Sequence, residues 1–415
     1  MTQPQLRRLA RVVNGGTPTS DASNWDGEVP WATPIDLGLS NGGTLTDTLR
    51  SLTQEGLTSG SALVPANSVL LSSRAPVGYV SVNDVPMAFN QGCKGLIPTS
   101  DLDNRYLMYV LLASKSALQA VATGTTFLEI SSMNLGALRI PKPPLTEQVA
   151  VADFLDRETA QIDEMIQAQL ELIAVLRSRR TAEVVAAVRL QQDTDNLPAG
   201  WELLPFKYAI ASRFTGEWGG EPGSDDVDVS CVRVADFDRA HRRAGTAVPT
   251  TRSVSADKAR AKALRPGDLL VERSGGTAKN PVGTVVLYNG PEGAISSNFI
   301  ECVRLRDEHD PAFWCYLQEA AYSTGFTQVF VRQTSGIQNL DAQEFYREYF
   351  AAPGLAEQRR IAAALDQQTA QLAEMIDAAN DVVSLLRERR EALISAAVTG
   401  RIDPGTGIET VEETP

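Results

Sequence analysis

A long duplicated segment constrains the fold of this chain more than any other feature. The first copy, PPLTEQVAVADFLDRETAQIDEMIQAQLELIAVLRSRRTAEVVAAV, returns 210 residues later as PGLAEQRRIAAALDQQTAQLAEMIDAANDVVSLLRERREALISAAV. The offset stays constant without a gap, so that Glu147-Gln148 returns as Glu357-Gln358 and Leu155-Asp156 as Leu365-Asp366. Self-similarity at a fixed offset is the sequence signature of a repeated architecture. The chain is therefore predicted to be built from two related halves.

Each copy has the pattern of one long helix. Pro144 and Pro353 stand just before it, where proline is tolerated. The apolar residues then follow a heptad in two narrow stripes, which suits a coiled-coil seam between two helices. A helix of about 40 residues spans roughly 60 Å. We expect the two helices to pair with each other, antiparallel and within one chain; pairing between two chains of a homodimer is the alternative. The seam residues are Leu155, Ile162, Ile166, Ile173 and Leu176 in the first copy, and Leu365, Leu372, Ile376, Val383 and Leu386 in the second.

Polar residues interrupt the predicted seam at equivalent places, first at Thr159 and Thr369 and later at Arg180 and Arg390. Polar seam residues cost stability but can fix register and pairing. The arginines belong to a cluster that recurs in both copies. Such a cluster suits a solvated helix surface, where cations near the C-terminal end oppose the helix dipole favourably. It equally suits a docking site for a partner.

The segments between the helices also echo each other. Residues 63–78 read LVPANSVLLSSRAPVG and residues 264–283 read LRPGDLLVERSGGTAKNPVG. Both combine a turn, a short apolar strand and a Gly/Pro-rich loop, and a further strand follows. Helices are expected near 104–121 and 311–322. The predicted fold is α/β (α+β), with two globular mixed α/β domains separated by two long antiparallel coiled-coil helices. The predicted parts are a first domain at 1–142, a helix at 143–195, a second domain at 196–352, a helix at 353–403 and a disordered acidic tail at 404–415.

The net charge of −13 argues against nucleic acid, because phosphate binding needs a positive surface. The charge is uneven, however. Residues 141–197 hold 6 basic and 10 acidic residues, and residues 353–415 hold 6 and 11, so these two segments carry nine of the thirteen excess negative charges. Residues 239–265 hold eight Lys or Arg against one acid, Asp257. The global charge therefore hides a basic segment.

Motifs for catalysis are missing from the sequence. An adenine methyltransferase needs an Asn/Asp-Pro-Pro-Tyr/Phe loop, and the nearest string, Asp310-Pro311-Ala312-Phe313, does not match it. There is no GxxxxGK[ST] phosphate loop. The two histidines, His241 and His309, lie far apart and offer little to a Ser-His-Asp arrangement. We expect a chain without catalytic residues.

The cysteines and the hydropathy pattern point to an intracellular protein. Cys93, Cys231, Cys302 and Cys315 show no CxxC spacing, so we expect no metal site and reduced thiols in a bacterial-type cytoplasm. Arginines follow soon after Met1, and no run of 18 or more apolar residues occurs. We therefore expect neither export nor a membrane span.

These features together resemble the specificity subunit of type I restriction-modification systems. The resemblance extends from Leu9 to about Asp403. Its most specific marks are PKPPLTEQ at 141–148, PGLAEQ at 353–358 and LISAAVTGRID at 393–403. Gly354 stands where a second proline is usual, and the first helix ends as Val188-Arg189-Leu190-Gln191 without Thr-Gly. Neither departure disturbs the register of the repeat.

The resemblance implies a division of labour. This chain would read a bipartite, asymmetric site on double-stranded DNA, one half with each domain, and the helices would fix the gap between the halves. Two modification (methyltransferase) subunits would dock on the helices, and a restriction (motor-nuclease) subunit would join for cleavage. No cofactor would be bound by this chain itself, since S-adenosylmethionine, ATP and Mg²⁺ are expected on the partner subunits.

Candidate DNA contacts come from the basic segment and the glycine-rich loops. Arginine can bind guanine edges with two hydrogen bonds, whereas lysine mainly contacts phosphate. Ordinary solvated side chains and plain turns are the alternatives at each position. The candidates are Arg74, Lys94, Arg242, Arg243, Arg252, Lys258, Arg260, Lys262, Arg273 and Lys279.

Two other classes of function compete with the DNA-reading subunit. A non-catalytic coiled-coil scaffold would explain the helices, but it would not need two large domains with basic glycine-rich loops. The recognition part of a related restriction or methylation enzyme would explain the domains, but the catalytic motifs are missing. Salt-dependent DNA binding distinguishes the specificity subunit from the scaffold.

Overall fold

The structure is a computed structural model that describes residues 2–74, 76–122, 129–190, 197–277, 279–334 and 336–408. The chain forms two compact units. The first unit is Met1–Ala168 together with Val382–Pro415, and the second is Gln169–Asp381. Each long helix therefore contributes one part to each unit.

The first unit contains nine strands and five short helices among its described residues. Its strands are β1 (Ala10–Asn14), β2 (Trp25–Ala32), β3 (Thr44–Leu45), β4 (Ser51–Leu52), β5 (Ala62–Val64), β6 (Val69–Ser72), β7 (Val80–Asn83), β8 (Met87–Phe89) and β9 (Cys93–Pro98). Its short helices are α1 (Pro34–Leu39), α2 (Gln54–Gly60), α3 (Asn104–Ala113), α4 (Lys115–Ala120) and α5 (Ser132–Ala137), with 3₁₀ turns at Leu6–Arg8 and Ala22–Asn24.

Two sheets organise the first unit. One has the strand order β1-β9-β6-β7-β3, and the other has the order β4-β2-β8-β5. β3 pairs with β7 in parallel, and β2 pairs with β8 in parallel, whereas the other neighbours are antiparallel. The central strand β6 reads Val-Leu-Leu-Ser and is buried at every position, as an apolar run in the middle of a covered sheet should be. The single helix predicted at 104–121 is two helices here, because the Ser114 backbone leaves helical geometry and its hydroxyl donates to the Val110 carbonyl.

The second unit repeats this topology. Its strands are β10 (Trp201–Pro205), β11 (Ile210–Thr215), β12 (Val227–Val232), β13 (Arg243–Ala244), β14 (Thr251–Val254), β15 (Leu269–Glu272), β16 (Ser274–Gly275), β17 (Val285–Tyr288), β18 (Ile295–Ser296), β19 (Ile300–Leu305), β20 (Val331–Thr334), β21 (Ile337–Leu340) and β22 (Tyr349–Pro353). Its short helices are α7 (Phe206–Ala209), α8 (Ala256–Ala261), α9 (Pro311–Ser323) and α10 (Ala342–Phe345), with 3₁₀ turns at Val234–Asp236 and Thr327–Phe330.

The strand order β11-β19-β15-β17-β13 matches that of the first unit strand for strand. The pairings match as well: β13 joins β17 in parallel as β3 joins β7, and β12 joins β18 in parallel as β2 joins β8. Two small sheets, β16-β21-β20 and β10-β22, complete the unit. The structure thus confirms a mixed α/β fold with two sheet-containing domains, and the weak echo between the two globular segments reflects one duplicated domain.

The long helices are α6 (Leu145–Val188) and α11 (Leu355–Val398). In the first unit, Leu155 near the start of α6 shares a hydrophobic core with Ile394 near the end of α11. In the second unit, Val184 near the end of α6 shares a core with Leu365 near the start of α11. The two helices of one chain therefore run antiparallel within each unit, as predicted.

The seam positions differ in burial. Seven are buried: Leu155, Ile162, Ile173, Leu176, Leu365, Leu372 and Val383. The remaining three, Ile166, Ile376 and Leu386, are half-buried. Residues 404–408 of the predicted tail lie in a turn in which the Gly407 amide donates to the Asp403 carbonyl at 2.8 Å, and residues 409–415 lie outside the described part of the chain. In the described residues, no helix is long and apolar enough to cross a membrane.

Candidate nucleic-acid interface

A buried glutamine attaches each sheet domain to its long helix. Gln148 donates to the Pro143 carbonyl at 2.9 Å and accepts from the amide of Asp103, the residue that caps α3. Gln358 does the same with the Pro353 carbonyl at 2.7 Å and the amide of Asp310, which caps α9. The Glu-Gln motif of the repeat is thus a structural joint, which fixes the direction in which each domain leaves its helix.

A second joint lies about two to three turns further along each helix. The Tyr109 hydroxyl donates to Asp156 at 2.7 Å and lies 3.3 Å from the hydroxyl of Thr159. Tyr316 makes the equivalent contacts with Asp366 and Thr369 at 2.8 and 3.0 Å. The polar seam residues Thr159 and Thr369 therefore contact the tyrosines of α3 and α9 in the sheet domains.

In the first unit, a carboxylate between two cations lies where β6 ends. Glu129 accepts from Arg74 Nε at 2.9 Å and lies 3.6 Å from Lys94 Nζ. The Lys94 side chain is only 8% exposed, whereas that of Arg74 is 44% exposed. The Glu129 carboxylate, with buried Lys94 on its other side, holds the Arg74 guanidinium at the surface. We name Arg74, Lys94 and Glu129 the first anchored cluster.

The second unit has a similar cluster at the same place in the sheet. Glu301, whose side chain is 4% exposed, lies 2.9 Å from Arg213 Nη1 and 3.7 Å from Arg273 Nε. The Tyr346 hydroxyl donates to Glu301 Oε2, the oxygen nearest Arg273, at 3.0 Å. The Arg213 and Arg273 side chains remain 40% and 36% exposed. We name Arg213, Arg273, Glu301 and Tyr346 the second anchored cluster.

Strand register shows that the buried charged residues of the two clusters, Lys94 and Glu301, lie at equivalent positions and are opposite in charge. Val69 of β6 pairs with Leu96 of β9, as Leu269 of β15 pairs with Val303 of β19. Counting two residues back along β9 and β19 places buried Lys94 and buried Glu301 at the same position. The anchoring carboxylate is on the sheet in the second unit, but in the first unit it is Glu129, opposite Arg74 in an isolated bridge. The two units therefore present different groups from one backbone frame.

Further cations join the second anchored cluster. Lys262 donates to the Thr215 carbonyl at 2.8 Å, and Arg273 Nη1 lies 3.4 Å from the Thr215 hydroxyl. Nearby, Arg239 pairs with buried Glu272 at 2.9 Å. Burial raises the pKa of the Glu272 carboxyl, while the Arg239 guanidinium acts in the opposite direction. The buried carboxylates Glu272 and Glu301 are thus both paired with arginine, which limits the cost of removing a charge from water.

The structure separates the predicted basic segment into several places. Arg242 is not at the surface: its side chain is 12% exposed and pairs at 3.1 Å with Glu319, which also binds Arg180. Arg243 lies 3.8 Å from Asp366 on α11. These contacts place Arg180, Arg242 and Arg243 at the attachment of the domain to the long helices, away from the end of β15 that carries Arg273.

The remaining basic candidates are mostly paired at the surface. Arg252 lies over the Trp218 ring at 4.1 Å and pairs with Glu221. Lys258 pairs with Glu217, and Arg260 pairs with Asp257. Lys279 is exposed in the loop after β16. The DNA contacts themselves stay a prediction at all ten positions, and the geometry favours Arg74, Lys262 and Arg273 over the buried Lys94 and Arg242.

Sequence reasoning missed Arg213, Tyr346 and the two glutamine joints. Arg213 has no basic neighbour in sequence, and its place beside Arg273 arises only from the pairing of β11 with β19 and of β19 with β15. The signal for the glutamines was present, since Gln148 and Gln358 recur in both copies, but recurrence alone does not distinguish a structural joint from a docking site.

The cysteines lie in the cores of the units. Cys93, Cys231, Cys302 and Cys315 are free and buried, and burial raises the pKa of each thiol, to about 11 for Cys231 and about 12 for Cys315. Among the described residues, no group of three or more His, Cys, Asp and Glu side chains is arranged to hold a metal ion.

Comparison with known proteins places this geometry in a family. Residues 4–172 match the family model described as the type I restriction modification DNA specificity domain. A solved chain from work on complex assembly and conformational transition of the type I R-M system has the same fold, with a TM-score of 0.70 at 17% identity over 95% of this chain and 97% of that chain. Residues 4–172 thus match a type I restriction modification DNA specificity domain, and the chain shares the fold of that solved chain.

The relatives by sequence agree with this match. The MjaIX specificity subunit of Methanocaldococcus jannaschii is 27% identical over 48% of this chain and 49% of its own length. The EcoR124I/EcoR124II specificity subunit of Escherichia coli is 29% identical over 40% and 44%. The StySPI specificity subunit of Salmonella potsdam is 22% identical over 80% and 73%. The chain is thus similar to type I restriction enzyme specificity subunits, and it spans about half the length or less of the first two relatives.

Proposed function

We propose that this chain is a non-catalytic, sequence-specific DNA-binding subunit whose two units each read one half of a bipartite, asymmetric site. The observation that supports this most directly is the pair of anchored clusters. Each cluster places a partly exposed arginine at the equivalent end of the five-stranded sheet of its unit, and a carboxylate orients each arginine. An oriented guanidinium suits the two acceptors of a guanine edge.

The difference between the clusters supports an asymmetric site. Equivalent positions hold Lys94 in one unit and Glu301 in the other, so the two surfaces are not copies. Two different readers on one duplicated frame would recognise two different half-sites. The long helices, at 44 residues each, would set the spacer between the half-sites.

The proposal includes partner subunits. Modification (methyltransferase) subunits, two in number, and a restriction (motor-nuclease) subunit would be directed to the site by this chain. These partners would carry S-adenosylmethionine, ATP and Mg²⁺, and the chemistry of methylation and cleavage would take place on them. The MjaIX, EcoR124I and StySPI relatives named as specificity subunits support this role.

Single arginine substitutions test the reading of half-sites. Arg74→Ala should relax base preference in one half of the methylated motif, and Arg273→Ala should relax it in the other half. A lost bidentate contact to a base costs about 1–3 kcal/mol of discrimination. The readout is the set of adenines methylated by the complex with the modification subunits. Arg265→Ala is the matched control, because Arg265 is not among the ten candidate contacts, is exposed and pairs with exposed Glu292 at 3.2 Å. Relaxation in the same half by both variants, or in neither half, would contradict the proposal.

A further inference from the structure

An exposed basic strip precedes the anchored cluster in the first unit. Arg7 and Arg8 lie in the 3₁₀ turn before β1, and Arg11 lies on β1 itself. All three are exposed. In the part of the chain that the structure describes, none of them forms an ion pair with a carboxylate; the Arg7 guanidinium donates to the amide oxygen of Gln5 at 2.6 Å.

The strip borders an open edge of the sheet. β1 is the outermost strand of the order β1-β9-β6-β7-β3, with β9 on one side. Arg139 adds a further exposed cation beside the turn, where its Nη1 donates to the Gln3 carbonyl at 3.0 Å. No acidic residue occurs between Met1 and Gly16. Cations without carboxylate partners along an open edge are complementary to a polyanion rather than to a mixed protein surface.

The second unit has a counterpart in the same position. The amide of Phe206 donates to the Glu348 carbonyl as that of Leu6 donates to the Leu138 carbonyl, so Lys207 is equivalent to Arg7. Lys207, Arg213 and Arg347 line an open groove of about 460 Å³ beside β11, together with Ser212 and Gln343. Arg213 belongs to this groove and also to the second anchored cluster, so the groove continues directly into the predicted reading surface.

Two of these groove cations have carboxylate partners. Arg347 pairs with exposed Glu344 at 2.6 Å, and Arg213 pairs with Glu301. Lys207 lies 5.3 Å from the Tyr208 ring centre. The groove therefore holds less unpaired positive charge than the strip of the first unit. The first unit should make the larger electrostatic contribution.

We infer that the strip of Arg7, Arg8 and Arg11, and Lys207 at the equivalent place in the second unit, bind the sugar-phosphate backbone of double-stranded DNA without reading its sequence. The inference rests on the proposed function and assigns a separate task to a separate surface. The anchored clusters hold arginine against a carboxylate, which suits base reading, whereas the strip offers exposed cations without carboxylate partners, which suits phosphate contact.

The test measures the salt dependence of DNA binding by the full chain. A mixed-sequence duplex is the probe, so that base reading does not contribute. The binding constant falls as salt rises, and each phosphate neutralised on B-DNA makes the slope of log K against log salt steeper by about 0.9. The steepness of this slope is the value compared between variants. The triple variant Arg7→Gln/Arg8→Gln/Arg11→Gln should lower the slope by about 2 to 3. Lys207→Gln should lower it by about 1 or less. Lys115→Gln, an exposed cation on α4, is the control and should leave the slope unchanged.

A lysine variant separates phosphate binding from base reading. Arg7→Lys/Arg8→Lys/Arg11→Lys keeps the charge and loses the guanidinium fork, so the slope should return to the wild-type value. The methylated motif of the complex should be the same for the glutamine triple variant as for the wild type. Because all three residues are exposed, the melting temperature of the triple variant should match that of the control.

The possible outcomes are distinct. A wild-type slope in the glutamine triple variant, while the wild type binds DNA, would overturn the strip and leave the proposed function intact. An equal fall in slope for Lys115→Gln would also overturn it, because net charge and not position would then be responsible. A changed motif in the glutamine triple variant would assign the strip to base reading instead. A wild-type chain that neither binds the duplex nor directs methylation would overturn the proposed function itself.

Discussion

The buried ion triad of the second unit makes a strong prediction about stability. Glu319 is 1% exposed and binds both Arg180 of α6 and Arg242, whose side chains are 13% and 12% exposed. Substituting Glu319→Ala leaves two largely covered guanidiniums without the carboxylate that they share. Breaking a buried ion pair by removing one partner costs about 3–5 kcal/mol. The lost ion pairs join Glu319 of α9 to Arg180 of α6 and to Arg242, the residue before β13. Because all three residues lie in the second unit, the substitution should destabilise that unit.

Hydrogen exchange measured by mass spectrometry distinguishes the two units within one chain. Amides of β15, β19 and α9 should exchange about a hundredfold faster or more in Glu319→Ala, since each 1.4 kcal/mol corresponds to about a tenfold change in an equilibrium constant. Amides of β6, β9 and α3 in the first unit should keep their wild-type rates.

The matched control is Glu344→Ala, which removes the carboxylate of an exposed pair with Arg347. Exposed pairs contribute about 0–1 kcal/mol, so exchange in this variant should change by fivefold or less, roughly. A triple variant with Arg180→Met, Arg242→Met and Glu319→Leu should recover much of the lost stability, because apolar groups can replace a buried triad. Equal amide exchange rates of the second unit in Glu319→Ala and Glu344→Ala would show that the Glu319 ion pairs do not stabilise this unit more than an exposed pair does.

Three further predictions follow from other contacts. Gln148→Leu should destabilise the first unit and Gln358→Leu the second, by about 1–3 kcal/mol for each buried group left unpaired, with exposed Gln367→Leu as the control in urea unfolding. An equal effect of Gln367→Leu would contradict this. Glu301→Gln should relax base preference in one half-site, because Arg213 and Arg273 lose their anchor, while binding to mixed-sequence DNA stays equal or tightens; weaker mixed-sequence binding would argue against a positioning role. The buried thiols should resist a thiol reagent at pH 8 until the chain unfolds, and rapid native labelling would contradict their burial. The raised pKa of the buried thiols also makes stability depend on pH. Below the ordinary thiol pKa of 9.0 the thiols are protonated in both the folded and the unfolded chain, whereas above it they ionise only in the unfolded chain. For Cys231, this contribution to the free energy of unfolding therefore falls between pH 9.0 and about 11. Urea midpoints measured across this range should therefore fall with rising pH, and a Cys231→Ala variant should show a smaller fall.

The sequence alone supports the repeat, the long helices and the mixed α/β class, because these rest on local periodicity and on a constant offset. The heptad at Leu155, Ile162 and Leu176 predicts a buried stripe, and all three residues are buried. The equal strand order of the two units could not be predicted to that detail, since the short strands β3 and β13 carry only two residues each.

The candidate site was harder to predict because charge density is a poor guide to exposure. Residues 239–265 are the most basic stretch, but Arg242 of that stretch is buried against Glu319. Arg213, by contrast, is isolated in sequence and becomes part of a cluster only through strand pairing. Partners that lie 88 residues apart, such as Arg213 and Glu301, cannot be found by inspecting sequence windows.

The central claim is that this chain selects the DNA site for its partners. The most direct test is to purify the full chain with its modification subunits and to map methylated adenines across genomic DNA, with and without the chain. We expect methylation confined to one split, asymmetric motif, and we expect it to disappear when the chain is omitted. Methylation of the same sites without the chain, or a symmetric motif with identical halves, would contradict it.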